Sequence, residues 1–174
     1  HVRLIRIFVS SPNDVKNERE ALDEVVEDIN RGDGETKKFV MQLFKWERNV
    51  IPQIDQTPQE VIDRQTPDCD VYLGILRTRF GTPTGTLGSG TEQEFRAALQ
   101  QFNTRRKPWV SFYFYNGRVQ LRTSEEREQY DKVCVFRDEL ERKGIIGRYD
   151  KIGGNRDGFR AQVRDHLIKL ADKI

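Results

Sequence analysis

Asp70-Val71-Tyr72-Leu73-Gly74-Ile75-Leu76 is apolar almost throughout, and a run of that kind predicts a central strand of a parallel sheet, covered on both faces. Beyond it, residues 77–88 form a long polar, Gly-rich loop, and residues 92–102 have the composition of a helix. The same strand, loop and helix unit stands at the start of the chain. Residues 4–9 are apolar and β-branched, Ser10-Ser11-Pro12-Asn13-Asp14 follows, and residues 15–29 carry Leu22, Val25, Val26 and Ile29 on one helical face. Asp14 is the expected N-cap of that helix.

The remaining segments continue the alternation. After a loop at residues 31–35, residues 38–46 read as a second strand, with Phe39, Val40, Leu43 and Phe44 as its apolar side chains. Residues 58–65 read as a short helix begun at Thr57, with Pro58 at its first position. Residues 108–115 predict a fourth strand. Residues 124–142 predict a long charged helix, capped by Ser124, with Tyr130, Val133, Phe136 and Leu140 on its apolar stripe. A short fifth strand is expected within residues 145–152, and an amphipathic helix over 159–174 closes the chain. Repeated strand-then-helix order predicts an α/β, flavodoxin-like parallel five-stranded sheet wrapped by helices.

With 174 residues the chain falls in the size range of one domain, and it begins with His1 and has Met41 as its only methionine, which reads as a domain excised from a longer protein. Its 30 basic residues nearly cancel 28 acidic ones, a balance that argues against a dedicated nucleic-acid binder, which would carry a clustered basic excess. Cys69 and Cys134 lie far apart, as expected of a reduced intracellular chain rather than a disulfide-stapled one. No window approaches the roughly 18 apolar residues of a membrane span, and the N-terminus lacks the build of a signal peptide. The cytoplasm is the expected compartment, with no membrane partner.

Several familiar sites are excluded because their residues are missing. The sequence has no phosphate-binding loop ending in Gly-Lys-Ser/Thr, no dinucleotide fingerprint after the first strand, and no metal-ligand spacing of Cys and His. His166, midway along the last helix, shows no obvious partner in sequence and reads as a surface or packing residue, which removes histidine-based triad chemistry. What remains is the carboxylate pair Glu92 and Glu94, beside the hydroxyls of Ser10, Ser11, Ser89 and Thr91. A carboxylate so placed can stabilise or attack the sugar cation that develops as an N-ribosidic bond breaks. Nicotinamide in NAD leaves without protonation, so one carboxylate suffices. Thr91-x-x-Glu94 and Ser89-x-x-Glu92 are also capping boxes, a reading compatible with the first. Arg77 and Arg79 offer planar forks for a pyrophosphate or a carboxylate, or stand as solvated loop residues. Trp46 and Glu47 wall the same cleft or pack against it.

Taken together, Arg6-Ile7-Phe8-Val9-Ser10-Ser11-Pro12 with Asp14, Glu18-Arg19-Glu20-Ala21-Leu22, Asp70 to Ile75 with Arg79-Phe80-Gly81, and Ser89-Gly90-Thr91-Glu92-Gln93-Glu94-Phe95 resemble the TIR-like domains at the N-termini of large intracellular NTPase and repeat proteins. Those are relatives of Toll/interleukin-1 receptor domains and of nucleoside 2-deoxyribosyltransferases. The resemblance covers residues 3–115; the C-terminal third matches in element order only. It implies an NAD+ nucleosidase in which Glu94 is the catalytic carboxylate, four residues after Gly90, with Glu92 in reserve. Ser10, Ser11, Trp46, Arg77, Arg79, Phe80, Ser89 and Thr91 would bind the substrate, and NAD would be a substrate rather than a cofactor. The Trp-Cys pair that often precedes the glutamate in TIR domains is replaced here by Gly90-Thr91. Such domains self-associate with others of their kind and work in immune or stress signalling, switched on by oligomerisation. Two further readings stay open: a non-catalytic self-association module, and a deoxyribosyltransferase-like enzyme.

Overall fold

The computed structural model describes residues 1–45, 69–81, 92–144 and 146–174. Trp46, Glu47, Ser89, Thr91 and the predicted helix at 58–65 lie outside the described residues. Five strands, β1 (Arg3–Ser10), β2 (Phe39–Lys45), β3 (Val71–Leu76), β4 (Trp109–Tyr115) and β5 (Ile146–Tyr149), pair in parallel in the order β2-β1-β3-β4-β5. That is the flavodoxin-like arrangement the strand alternation predicts. Four long helices accompany them: α1 (Lys16–Ile29), α2 (Glu92–Arg105), α3 (Ser124–Glu141) and α4 (Phe159–Ala171).

Side-chain alternation divides the interior in two. Ile5, Ile7 and Val9 of β1 and Val71, Leu73 and Ile75 of β3 point to one face, where Leu22, Val25 and Ile29 of α1 meet Phe159, Val163 and Leu167 of α4. Phe8, Tyr72, Phe112 and Phe114 point to the other, against Phe95 and Leu99 of α2 and Val133, Phe136 and Leu140 of α3. The second core is aromatic, with Phe95 and Phe112 ring centroids 5.2 Å apart and Phe112 edge-on to Phe136 at 5.5 Å, both within the favourable range for ring pairs. Residue after residue of β3 is buried, which explains its unbroken apolar run.

Three local expectations are corrected. Asp14 does not cap α1: it lies in a 3-10 turn, Asn13–Val15, and its carboxylate reaches across to Thr78 instead. Ser124 is already inside α3, whose cap is the extended Thr123; Thr123 Oγ1 accepts from the Glu126 N–H at 3.1 Å and the Glu126 carboxylate accepts in return. Residues 31–35 are no open loop, because Asn30–Gly34 prolongs α1 as a π turn. Asn30 then holds β2, its amide donating to the Met41 carbonyl and accepting from the Met41 N–H. Both cysteines are free. Among the described residues no helix is long and apolar enough to cross a membrane.

Gly74 sets how closely α2 approaches the sheet. A Cβ at this position would stand 2.5 Å from Phe112 Cδ1 and 2.9 Å from Phe95 Cε1, and rings packed on several sides cannot easily give way. Gly74→Ala is expected to cost about 1–3 kcal/mol, read as a lower urea midpoint with unchanged slope; an unmoved midpoint would show that α2 shifts freely.

Candidate functional site

In this strand order the chain turns left from β1 to β2 and right from β3 onward, so the switch point lies between the ends of β1 and β3. Ser10 ends β1 and is in register with Gly74, while Tyr72 is in register with Phe8. Ser10 and Tyr72 are thus diagonal neighbours on one face. Ser10 and Ser11 are each 1% exposed, Tyr72 is 4% exposed, and among the described residues none of these three hydroxyls finds a well-formed hydrogen bond. Buried polar groups left in that state are uncommon and mark places where a water or a ligand completes the network.

Glu94 stands in the first turn of α2, half-buried, next to Phe95, whose ring meets Tyr72 edge-on at 6.3 Å. Burial pushes the Tyr72 phenol well above its ordinary range; neighbouring Ser10 pulls it back and the Glu94 carboxylate pushes it further up. The phenol therefore stays protonated, with Ser10 beside it and the Glu94 charge acting on it. Glu92 goes elsewhere. Its carboxylate pairs with Arg96 one turn on at 3.0 Å, and Arg96 pairs in turn with Glu139 of α3 at 3.1 Å while lying over the Phe136 ring.

Of the two arginines, Arg77 meets a carboxylate from within the chain. Its Nη1 lies 3.4 Å from Oε1 of Glu18, its guanidinium stacks on Tyr115 at 3.9 Å, and the Tyr149 hydroxyl donates to the same Glu18 oxygen at 2.9 Å. Glu18 is 1% exposed. Desolvation, and after it the adjacent carboxylate, raises the Tyr149 phenol far above its ordinary value. Arg79, two residues along, is exposed and lines a cleft of about 770 Å³ together with Asp14, Thr78 and Phe80, facing Thr123 and Glu126 at the start of α3. The backbone amides of Arg122 and Thr123 hold the Glu126 carboxyl below its usual range, and the Arg79 charge adds to that effect. Phe80, 5% exposed, belongs mainly to the aromatic core, 5.6 Å from Phe136.

The predicted residues thus fall into three groups. Ser10 and Glu94 come together around Tyr72; Arg79 and Phe80 line the cleft; Glu92 and Arg77 are held in ion pairs. Trp46, Ser89 and Thr91 lie outside the described residues. Sequence reasoning missed Tyr72, Glu126 and the Glu18 cluster. Glu18 had a readable signal, because it sits four residues before Leu22 and so falls on the apolar face of α1. His166 does have a partner: Tyr113 Oη lies 2.8 Å from its Nδ1, with the rings stacked. Among the described residues no cluster of His, Cys, Asp and Glu is suited to a metal ion.

Sheet order and switch point define a doubly wound α/β domain. Over residues 6–167 the chain matches the family described as a domain of unknown function (DUF4062), and it belongs to that family. No curated protein matches it. Among solved structures it is similar to homoserine dehydrogenase from S. aureus, with a TM-score of 0.37 and 9% identity over 86% of this chain and 33% of that one. It thus spans about a third of that enzyme's length. It is also similar to a flavodoxin, a WrbA-like protein from Agrobacterium tumefaciens, with a TM-score of 0.38 and 8% identity over 99% of each chain.

Two measurements test this geometry. Tyr149→Phe removes a donor from buried Glu18 and is expected to cost about 1–3 kcal/mol in urea unfolding; an unchanged midpoint would mean that Glu18 finds another donor. Burial lowers the pKa of His166 below the ordinary 6.5. Its neutral form therefore stabilises the fold above that value, and this contribution is lost as pH falls from 6.5 through the lower folded value. Unfolding curves across that window should fall more steeply for wild type than for His166→Gln.

Proposed function

We propose that the chain is a TIR-like NAD+ nucleosidase, with Glu94 as its catalytic carboxylate. The observation that supports this reading is that Glu94 opens α2 next to Phe95, whose ring meets Tyr72, the diagonal neighbour of Ser10 at the end of β1, near the switch point where doubly wound domains bind ligands. In the reaction the bond between ribose C1′ and the pyridinium nitrogen breaks, and the bonding pair neutralises the departing nicotinamide. Glu94 stabilises the positive charge left on the sugar. Water then adds at C1′, its proton passes to Glu94 and on to solvent, and ADP-ribose results; attack by a group of the same molecule gives a cyclised product instead. Arg79 takes up phosphate charge, and Ser10 and Ser11 orient the dinucleotide from the end of β1. On this reading the domain serves a cytoplasmic signalling protein of the immune or stress type and is switched on by association with its own kind.

A second reading, a non-catalytic self-association module, is favoured by one observation: Leu4 and Val40, register partners on β1 and β2, are 45% and 43% exposed beside Val2. Nicotinamide release from NAD+ by the purified, concentrated chain separates the two. Glu94→Gln should reduce release by about 10²–10³-fold, whereas Glu92→Gln, which breaks only an exposed ion pair, should stay within roughly twofold of wild type. Equal rates for Glu94→Gln and wild type, or no release even when the domain is forced to oligomerise, would sink the enzyme reading.

A further inference from the structure

Residues 77–81 carry Arg79 and Phe80 into the cleft, and they leave β3 held at two points. Thr78 donates to Asp14 Oδ2 through its N–H at 3.2 Å and its hydroxyl at 2.9 Å. Arg77, the residue before it, is seated between Glu18 and the Tyr115 ring. Asp14 in the 3-10 turn and Glu18 in the first turn of α1 thus hold consecutive loop residues, Thr78 and Arg77. Neither contact is a solvated surface pair. Glu18 is 1% exposed, and removing the partner of a buried charge leaves it uncompensated at a cost far above that of a surface bridge. Arg77 is therefore required where it is, and the start of the loop with it.

We propose that Asp14 and Glu18 are positioning residues that fix residues 77–81, so that Arg79 presents its guanidinium to a phosphate or pyrophosphate in the cleft facing the start of α3. The identity of that ligand as NAD rests on the function proposed above; the clamp does not. A clamp is needed because four carboxylates, Asp14, Glu125, Glu126 and Glu128, line the same cleft with Arg79. An anion entering between carboxylates is accepted only where a cation is held toward it, and an arginine free to swing would turn to those carboxylates instead. The two bonds from Thr78 offset the charge of Asp14, and the aim of exposed Arg79 then follows from the backbone that carries it.

The test uses Glu18→Gln, Asp14→Ala and the conservative Asp14→Asn, with Glu24→Gln as control, since Glu24 pairs with Arg160 at the surface. Hydrogen exchange over residues 77–81, calorimetric binding of NAD+ and of inorganic pyrophosphate, and the kcat and KM of nicotinamide release are measured on each. Glu18→Gln and Asp14→Ala should exchange roughly fivefold faster in this segment. Both anions should bind about tenfold more weakly, with KM rising alike and kcat changing less than about threefold. Asp14→Asn, whose amide oxygen still accepts from Thr78, should recover most of the loss, and Glu24→Gln should match wild type. A merely structural role lowers kcat with the folded fraction and leaves KM in place, and that result overturns the proposal. So does unchanged exchange, or unchanged pyrophosphate affinity, in both Glu18→Gln and Asp14→Ala. Wild-type chain that binds pyrophosphate without acting on NAD+ sinks the enzyme reading and leaves the clamp supported; wild-type chain that binds neither anion overturns the clamp as an anion-positioning device.

Discussion

A carboxylate on the apolar face of α1 is the constraint from which the arrangement of the site follows. Glu18 occupies a position that helical periodicity assigns to the core, in line with Leu22, Val25 and Ile29. A charge there survives only if paired and hydrogen-bonded. The groups that satisfy it come from far along the chain: Arg77 past the end of β3 and Tyr149 in β5, with Tyr115 of β4 supporting the guanidinium. One buried charge thus ties the first helix to the ends of three neighbouring strands. The loop that bears Arg79 departs from this rim of strand ends.

The other side is set by shape rather than charge. Gly74 leaves room for Phe95 and Phe112 to close over the sheet, and Phe95 is the residue directly after Glu94. An aromatic contact in the core therefore sets where the candidate carboxylate stands. The same contact places Glu92, two residues earlier on a turning helix, toward Arg96 and α3. Neighbouring acids of one sequence motif come to differ in environment because they lie on different sides of a helix whose rotation the core dictates.

How far the sequence was readable depends on the range of the interactions involved. Strands and helices follow from hydrophobic period, which is local, and their described boundaries lie within a few residues of expectation. Caps were less legible: Thr123 and Ser124 carry the same chemistry, and only the extended backbone of Thr123 decides between them. Asp14 has the residue type and position of a cap, yet Thr78, 64 positions away, offers it two donors at once. The Glu18 and Arg77 pair spans 59 positions. Half of it was visible as a charge on an apolar stripe, but its partner was not, since several arginines could have answered. Tyr72 lies in a run whose apolar character marks a central strand, and that it comes beside Ser10 depends on the register of β1 and β3.

The proposed chemistry assigns different work to these neighbours. Glu92 shares the Arg96 guanidinium with Glu139, and this pairing holds its carboxylate toward α3. The charge of Glu94 acts on a phenol that burial keeps protonated. Such a phenol cannot serve as a base, and it has a proton to donate to a sugar hydroxyl or a carboxylate oxygen. Nicotinamide leaves without an acid, so a site with one carboxylate, one neutral phenol and two buried serine hydroxyls has the groups this reaction needs. His166, the histidine of the last helix, is packed against Tyr113 on the opposite face of the sheet.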